Sequence, residues 1–126
     1  MGVHKSVVDL QRRNEVITMA FMQAAHLLSL QPKEITQITG ISLASWTRVC
    51  HHKRMINVNS KEAEAILLFL RIYRSLDALF GGNNERSREW LRAYNYHLNG
   101  IPLVLLEKIE GLVQVTTYLD AMCGMA

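Results

Sequence analysis

Three stretches of this 126-residue sequence hold residue types that could do chemistry. Cys50-His51-His52 offers a thiol and two imidazoles, the ligand types of zinc. Consecutive helical residues point about 100° apart, so these three cannot all ligate one ion. Glu85 and Glu89 share a helical face, as paired acids do in some enzymes, but Arg88 and Arg92 stand beside them. The expectation there is a solvated ion-pair surface. Gly81-Gly82-Asn83-Asn84 is not followed by the Gly-Lys-Ser/Thr of a phosphate loop. No nucleophile has a clear base and no cofactor loop is present. Neither catalytic residues nor a metal or cofactor are expected, and the chain reads as a binding protein rather than an enzyme.

Charge placement says more than the net value of +3. Residues 1–61 carry eight Lys/Arg against three Asp/Glu, whereas residues 62–126 carry six against eight. A basic front half suits a polyanion; the mildly acidic back half suits something else. Two cysteines far apart in sequence, without an export signal, point to reduced thiols and a cytoplasmic protein. Val16–Pro32 lacks formal charge, yet Gln23, His26 and the terminal Pro32 leave it short of a membrane span. Gly2 and Ser6 fit a myristoylation pattern too short and common to carry a reading.

The positioning elements follow from periodicity. Asn14–Ser29 reads as a helix that Asn14 can cap, with Glu15 in its first turn, and residues 6–13 either extend it forward or form a separate turn. Its inward face is Val16, Ala20, Ala24, Leu27 and Leu28, widened by Ile17, Phe21 and Met22. His26 is expected at the edge of the core. Pro32 opens a second helix that Gly40 ends, and Ser42 caps a third. Two short helices joined by a glycine-containing turn are a helix-turn-helix pattern. Over about residues 21–54 it resembles the Xre-type helix-turn-helix of bacterial and phage regulators, with Thr36 and Thr39 departing from the usual Ala and larger apolar residue. The resemblance implies that Ile35, Ile41, Trp46 and Val49 hold the pair together. It also implies that Ser42, Ala44, Ser45, Thr47, Arg48 and His51 face the major groove, while Lys53 and Arg54 meet phosphates.

Ser60 then caps a long helix to about Phe80. Its stripe is Ala63, Ile66, Leu67, Leu70, Tyr73, Leu76 and Phe80, widened by Leu68, Phe69, Ile72 and Leu79. A helix apolar over more than half its circumference needs neighbours on both sides, so the exposed remainder suits a dimer seam. A further helix, about 84–94, turns Trp90 and Leu91 inward and breaks at Asn95-Tyr96-His97. Two short apolar helices finish the chain; Pro102 opens the first and Gly111 lies near the start of the second. Leu103, Leu106, Ile109, Val113 and Leu119 are expected inward. Tyr118, Asp120 and the run Met122-Cys-Gly-Met-Ala are expected outward.

Leu67–Gly82, Trp90-Leu91, Asn95, Leu98-Asn-Gly-Ile-Pro102 and Glu110–Met122 together resemble the C-terminal toxin-binding domain of MbcA/ParS/Xre antitoxins. The resemblance implies an all-α helical bundle, with an Xre-like helix-turn-helix over 1–59 and a toxin-binding and dimerisation domain over 60–126. It implies an antitoxin of a type II toxin–antitoxin system whose partners are a RES-domain, NAD-consuming toxin, operator DNA and a second copy. Asn95, Gly100, Tyr118, Asp120, Met122 and Cys123 would lie at or support the toxin contact. Many relatives carry a basic residue where this chain has Cys123, so steric coverage by the apolar end is expected rather than insertion of a cation. The competing expectation is a stand-alone dimeric helix-turn-helix repressor with no toxin partner.

Overall fold

A computed structural model describes residues 2–124, so Met125 and Ala126 of the expected contact run lie outside the described residues. The chain is all-helical: α1 (Gly2–Leu27), α2 (Pro32–Thr39), α3 (Leu43–Cys50), α4 (Lys61–Leu79), α5 (Asn84–Arg92), α6 (Pro102–Leu105) and α7 (Ile109–Met122). Most termini are those that local chemistry dictates. The Ser42 and Ser60 hydroxyls accept from the N–H groups of Ser45 and Ala63, and the Asn83 carboxamide accepts from Arg86 N. Gly40 closes α2 at φ +80°, a left-handed conformation that a side chain would strain.

Helix α1 corrects the sequence reading. It starts at Gly2, so Asn14 is not a cap and Glu15 is not in a first turn. Asn14 Oδ1 instead accepts from Val58 N (2.9 Å), and Thr18 Oγ1, one turn on, accepts from Ile56 N (2.8 Å). These two side chains strap the loop after α3 onto α1, drawing Ile56 into the core. The inward face is also rotated from the expected one. Ile17, Phe21, Ala24, Ala25 and Leu28 are buried, whereas Val16 is 63% exposed and Leu27 only half-buried. The expected stripe ran along the wrong edge of a pattern apolar on two sides.

One buried cluster runs from Ile17 to Leu119 around α4, which packs on α7 most extensively and also on α1, α2 and α5. Phe21 of α1 is its joint. Its ring meets Trp46 of α3 edge-on (5.6 Å, 73°) and Phe69 of α4 edge-on (5.7 Å, 84°). Such pairs add about 0.5–1.5 kcal/mol to the burial itself. On α4, Ala63, Ile66, Phe69, Ile72 and Leu76 are buried as expected, but Leu67 is 53% exposed and Leu70 and Tyr73 are half-buried.

Glu85, Arg86, Glu89 and Arg92 of α5 are exposed as expected, but Arg88 is half-buried, and it and Arg92 reach across to the end of α1. Arg88 Nη1 donates to the Leu27 carbonyl (2.9 Å) and Arg92 Nη2 to the Ser29 carbonyl (2.8 Å), so both satisfy the C-terminal end of α1. Arg92 also grips Glu34 of α2 with both Nη atoms (2.8 and 3.2 Å). The Glu34 carboxylate in turn accepts from Gln31 N at the start of α2. The Arg92 hydrogen bond holds Glu34 below the ordinary carboxylate range, against the opposing effect of partial burial. A lowered pKa means that the ionised form stabilises the fold. That contribution is complete above the unfolded-state value near about 4.3 and disappears as pH falls through the lowered folded value. Glu34→Gln should therefore lower stability by about 0.5–1 kcal/mol at pH 7, as befits a partly exposed pair. The gap between the thermal midpoints of variant and parent should close as pH is taken down through the lowered folded value.

Helix α7 also departs from expectation. Ile109 and Val113 are 52% and 49% exposed; Leu112, Val115, Thr116 and Leu119 form the buried face. The reason is Gly111, which lies against the backbone of α6. A Cβ there would sit 2.6 Å from the Leu105 carbonyl carbon and closer still to its oxygen. This backbone approach sets the roll of α7. Gly111→Ala should cost at least about 2 kcal/mol and lower the melting midpoint by roughly 5–10 °C in a circular-dichroism melt.

Candidate functional site

The α2–α3 unit presents one polar face. Ser42, Ala44, Thr47, Arg48, His51, Lys53 and Arg54 are exposed, and Ser45 is half-buried. Behind them Ile35, Ile41, Trp46 and Val49 are buried, so the third helix is clamped by its apolar side and shows its polar side to solvent. Two of these polar residues are engaged with each other: the Arg54 guanidinium donates to the Ser45 hydroxyl. Thr47 Oγ1 donates back to Leu43 O (2.9 Å), which leaves Arg48 the residue of this face with the longest free reach from α3. Thr39, a departure from the usual motif, has a local use. Its hydroxyl donates to Ile35 O (2.7 Å) and accepts from Ile41 N (3.1 Å), fixing the turn around Gly40.

The six C-terminal site residues divide between two faces. Side chains two apart on a helix point about 200° apart, and Tyr118 and Asp120 accordingly leave α7 on opposite flanks. Asp120 turns to α4, where it pairs with Arg71 (Nη2–Oδ2 2.7 Å; Nε–Oδ1 3.1 Å). Cys123 lies half-buried on the same flank, its Sγ 3.6 Å from the Ser75 carbonyl. That flank closes one end of an open groove of about 740 Å³ between α1 and α4, lined by Ala20, Gln23, Leu67, Leu70 and Arg74. The expectation that Asp120 and Cys123 point to solvent beside Tyr118 is thus corrected: both are turned onto α4.

Tyr118 turns to α5 and the loop that follows it. Its ring runs near-parallel to Trp90 (6.3 Å, 20°) and to His97 (6.1 Å, 26°). Trp90, expected inward, is half-buried in this stack. Asn95 and Gly100 close the loop on the same side. Asn95 N donates to Gly100 O (2.8 Å) and Gly100 N to Asn95 O (3.2 Å), while Asn95 Oδ1 accepts from His97 N (2.9 Å) and Leu98 N (3.0 Å). Their role is to shape this loop. Met122 is 54% exposed. The structure therefore brings Asn95, Gly100 and Tyr118 together and sets Asp120 and Cys123 apart. Sequence reasoning missed Arg71 and His97, whose partners lie 49 and 21 positions away; no local pattern records such pairs.

Among the described residues no group of three or more His, Cys, Asp or Glu is placed to hold a metal ion, and no helix is long and apolar enough to cross a membrane. No curated protein sequence matches the chain. Residues 75–124, the span that holds α5, α6, α7 and the aromatic stack, match the family model of the antitoxin Xre/MbcA/ParS C-terminal toxin-binding domain. Over those residues the chain is similar to the toxin-binding domain of Xre/MbcA/ParS antitoxins, and that likeness is what supports an antitoxin reading.

Proposed function

We propose that this chain is an antitoxin that neutralises a RES-domain, NAD-consuming toxin in the cytoplasm and represses its own operon through α2 and α3, acting as a homodimer. The observation that carries the toxin half is the match of residues 75–124 to a toxin-binding domain. The DNA half is supported by the buried clamp of Ile35, Ile41, Trp46 and Val49 and by the exposed cationic face beyond it. In this reading residues 1–59 meet operator DNA and residues 60–126 meet the toxin. Arg48 reads a base edge with Ser42, Ala44, Thr47 and His51 around it, and Lys53 and Arg54 follow the phosphates, Arg54 also steadying Ser45.

The same reading seats the second copy on the groove between α1 and α4. Leu67 is 53% exposed there, and Ala20, Leu70 and Ala78 line the groove with it, an apolar face that this chain leaves uncovered. Tyr118, with Asn95 and Gly100 supporting the loop, and Met122 contribute to the toxin contact. Asp120 and Cys123 act from behind, through their hold on α4.

Co-expression with a RES-domain toxin tests the reading. The chain should restore growth and the cellular NAD pool and co-purify with the toxin; absence of both rescue and complex would overturn it. Arg48→Ala should weaken binding to its own upstream DNA roughly 5- to 150-fold, the worth of one base contact, and leave rescue intact. Leu67→Glu and Ala78→Glu, both in the groove lining, should each shift the free chain to monomer in sedimentation velocity and reduce operator affinity with it, since paired half-sites need a dimer.

A further inference from the structure

Ala93–Leu106 contains no Asp, Glu, Lys or Arg, in a chain where one residue in five is charged. Much of it is nevertheless at the surface: Tyr96 is 89% exposed, Val104 56%, Tyr94 51% and Ile101 37%. The two tyrosine rings meet edge-on at 5.0 Å and 71°. Tyr94 OH and Asn99 Oδ1 lie 2.8 Å apart, and the loop between is closed by the paired Asn95 and Gly100 and by Asn95 Oδ1. Tyr96 covers almost nothing of the core, so the fold gives no reason for a large aromatic residue at that position. His97, its neighbour, stacks on Tyr118 of α7. The ledge is thereby continuous with the rest of the matched toxin-binding domain.

We propose that Tyr96 and Tyr94 are the anchor by which this chain grips its toxin: an aromatic knob, held on a pre-shaped loop, that seats in an apolar cleft of the toxin. This rests on the reading above and names the part of the chain that does the holding. Interface centres are depleted in charge and enriched in Tyr and Trp, and a few such residues carry most of the binding energy. A loop already fixed by its own hydrogen bonds loses little freedom on docking, which leaves more of the contact energy for affinity. The groove between α1 and α4 is apolar too, but Arg71, Arg74 and the turned-in Asp120 border it. The ledge is an uncharged, aromatic surface within the matched span.

The test is calorimetric titration of an inactive RES-domain toxin with the full chain, Tyr96→Ala, Tyr94→Ala/Tyr96→Ala and, as a control at an exposed apolar residue of α1, Met19→Ser. Tyr96→Ala should weaken binding at least 30-fold and the double variant at least 100-fold, with Met19→Ser within 3-fold. Both ledge variants should melt within 2 °C of the parent, because the two rings are exposed. Tyr96 should also resist tetranitromethane nitration in the complex and accept it in the free chain. If the parent binds toxin and the double variant binds it equally well, the anchor is overturned and the antitoxin reading stands. If the parent itself fails to bind, both fall. A double variant that loses self-association and keeps toxin affinity would assign the ledge to a second copy and overturn the proposal.

Discussion

Helix α4 carries more apolar circumference than one layer of neighbours can cover, and the architecture follows from that constraint. Ala63, Ile66, Phe69, Ile72 and Leu76 are buried and in the same core cluster as Phe21, Ile35 and Leu119, so helices from both ends of the chain must close on α4. Each large side chain buried there is worth about 1.5–3 kcal/mol. No exposed ion pair in the molecule approaches that. The consequence is that the α2–α3 unit and the C-terminal helices share one core. Part of the remaining apolar surface, Leu67 with Ala20 and Leu70, is left as a groove.

Polar side chains decide how the layers are set. Hydrogen bonds that involve a charged group contribute more than neutral ones, about 1.5–3 kcal/mol against about 1, and leaving a buried partner unpaired costs as much again. Arg88 and Arg92 make such bonds to the carbonyls of Leu27 and Ser29, where α1 ends and its last C=O groups lack helical partners. Arg92 reaches Glu34 as well, so one side chain joins α5 to the end of α1 and the start of α2. On the other side Asn14 and Thr18 serve the loop after α3 in the same way. The polar face of α3 is therefore fixed from behind by apolar packing and from both ends by side-chain bonds.

In the C-terminal span the decisive feature is the absence of a side chain. With no Cβ on Gly111, the α6 backbone lies directly against α7 and fixes its roll. That roll turns Leu112, Val115 and Leu119 to α4, sends Asp120 to Arg71, and leaves Tyr118 to stack with Trp90 and His97. Two faces with different chemistry result from one helix. One is an apolar groove edged by ion-paired arginine; the other is an uncharged aromatic ledge.

Much of this was legible in the sequence. Serine caps, the Pro32 and Pro102 starts, the Gly40 stop and the long Ser60-capped helix are local events, set by hydrogen bonds within four residues, and they fall where the residues put them. The inward positions of Ile35, Ile41, Trp46 and Val49 follow from spacing in short helices with one apolar side. Where a helix is apolar on two sides, spacing does not say which side faces in; Val16, Ile109 and Val113 were assigned inward and are exposed, and Val115 was overlooked. Asn14 as a fastener, the reach of Arg88 and Arg92, and the parting of Tyr118 from Asp120 depend on partners many positions away. The sequence by itself determined the helices and most of their ends, the start of α1 apart, because those depend on neighbours within a turn or two. Only the tertiary structure decided which faces meet and which stay open, because that depends on how closely backbones can approach and which distant groups they bring within reach.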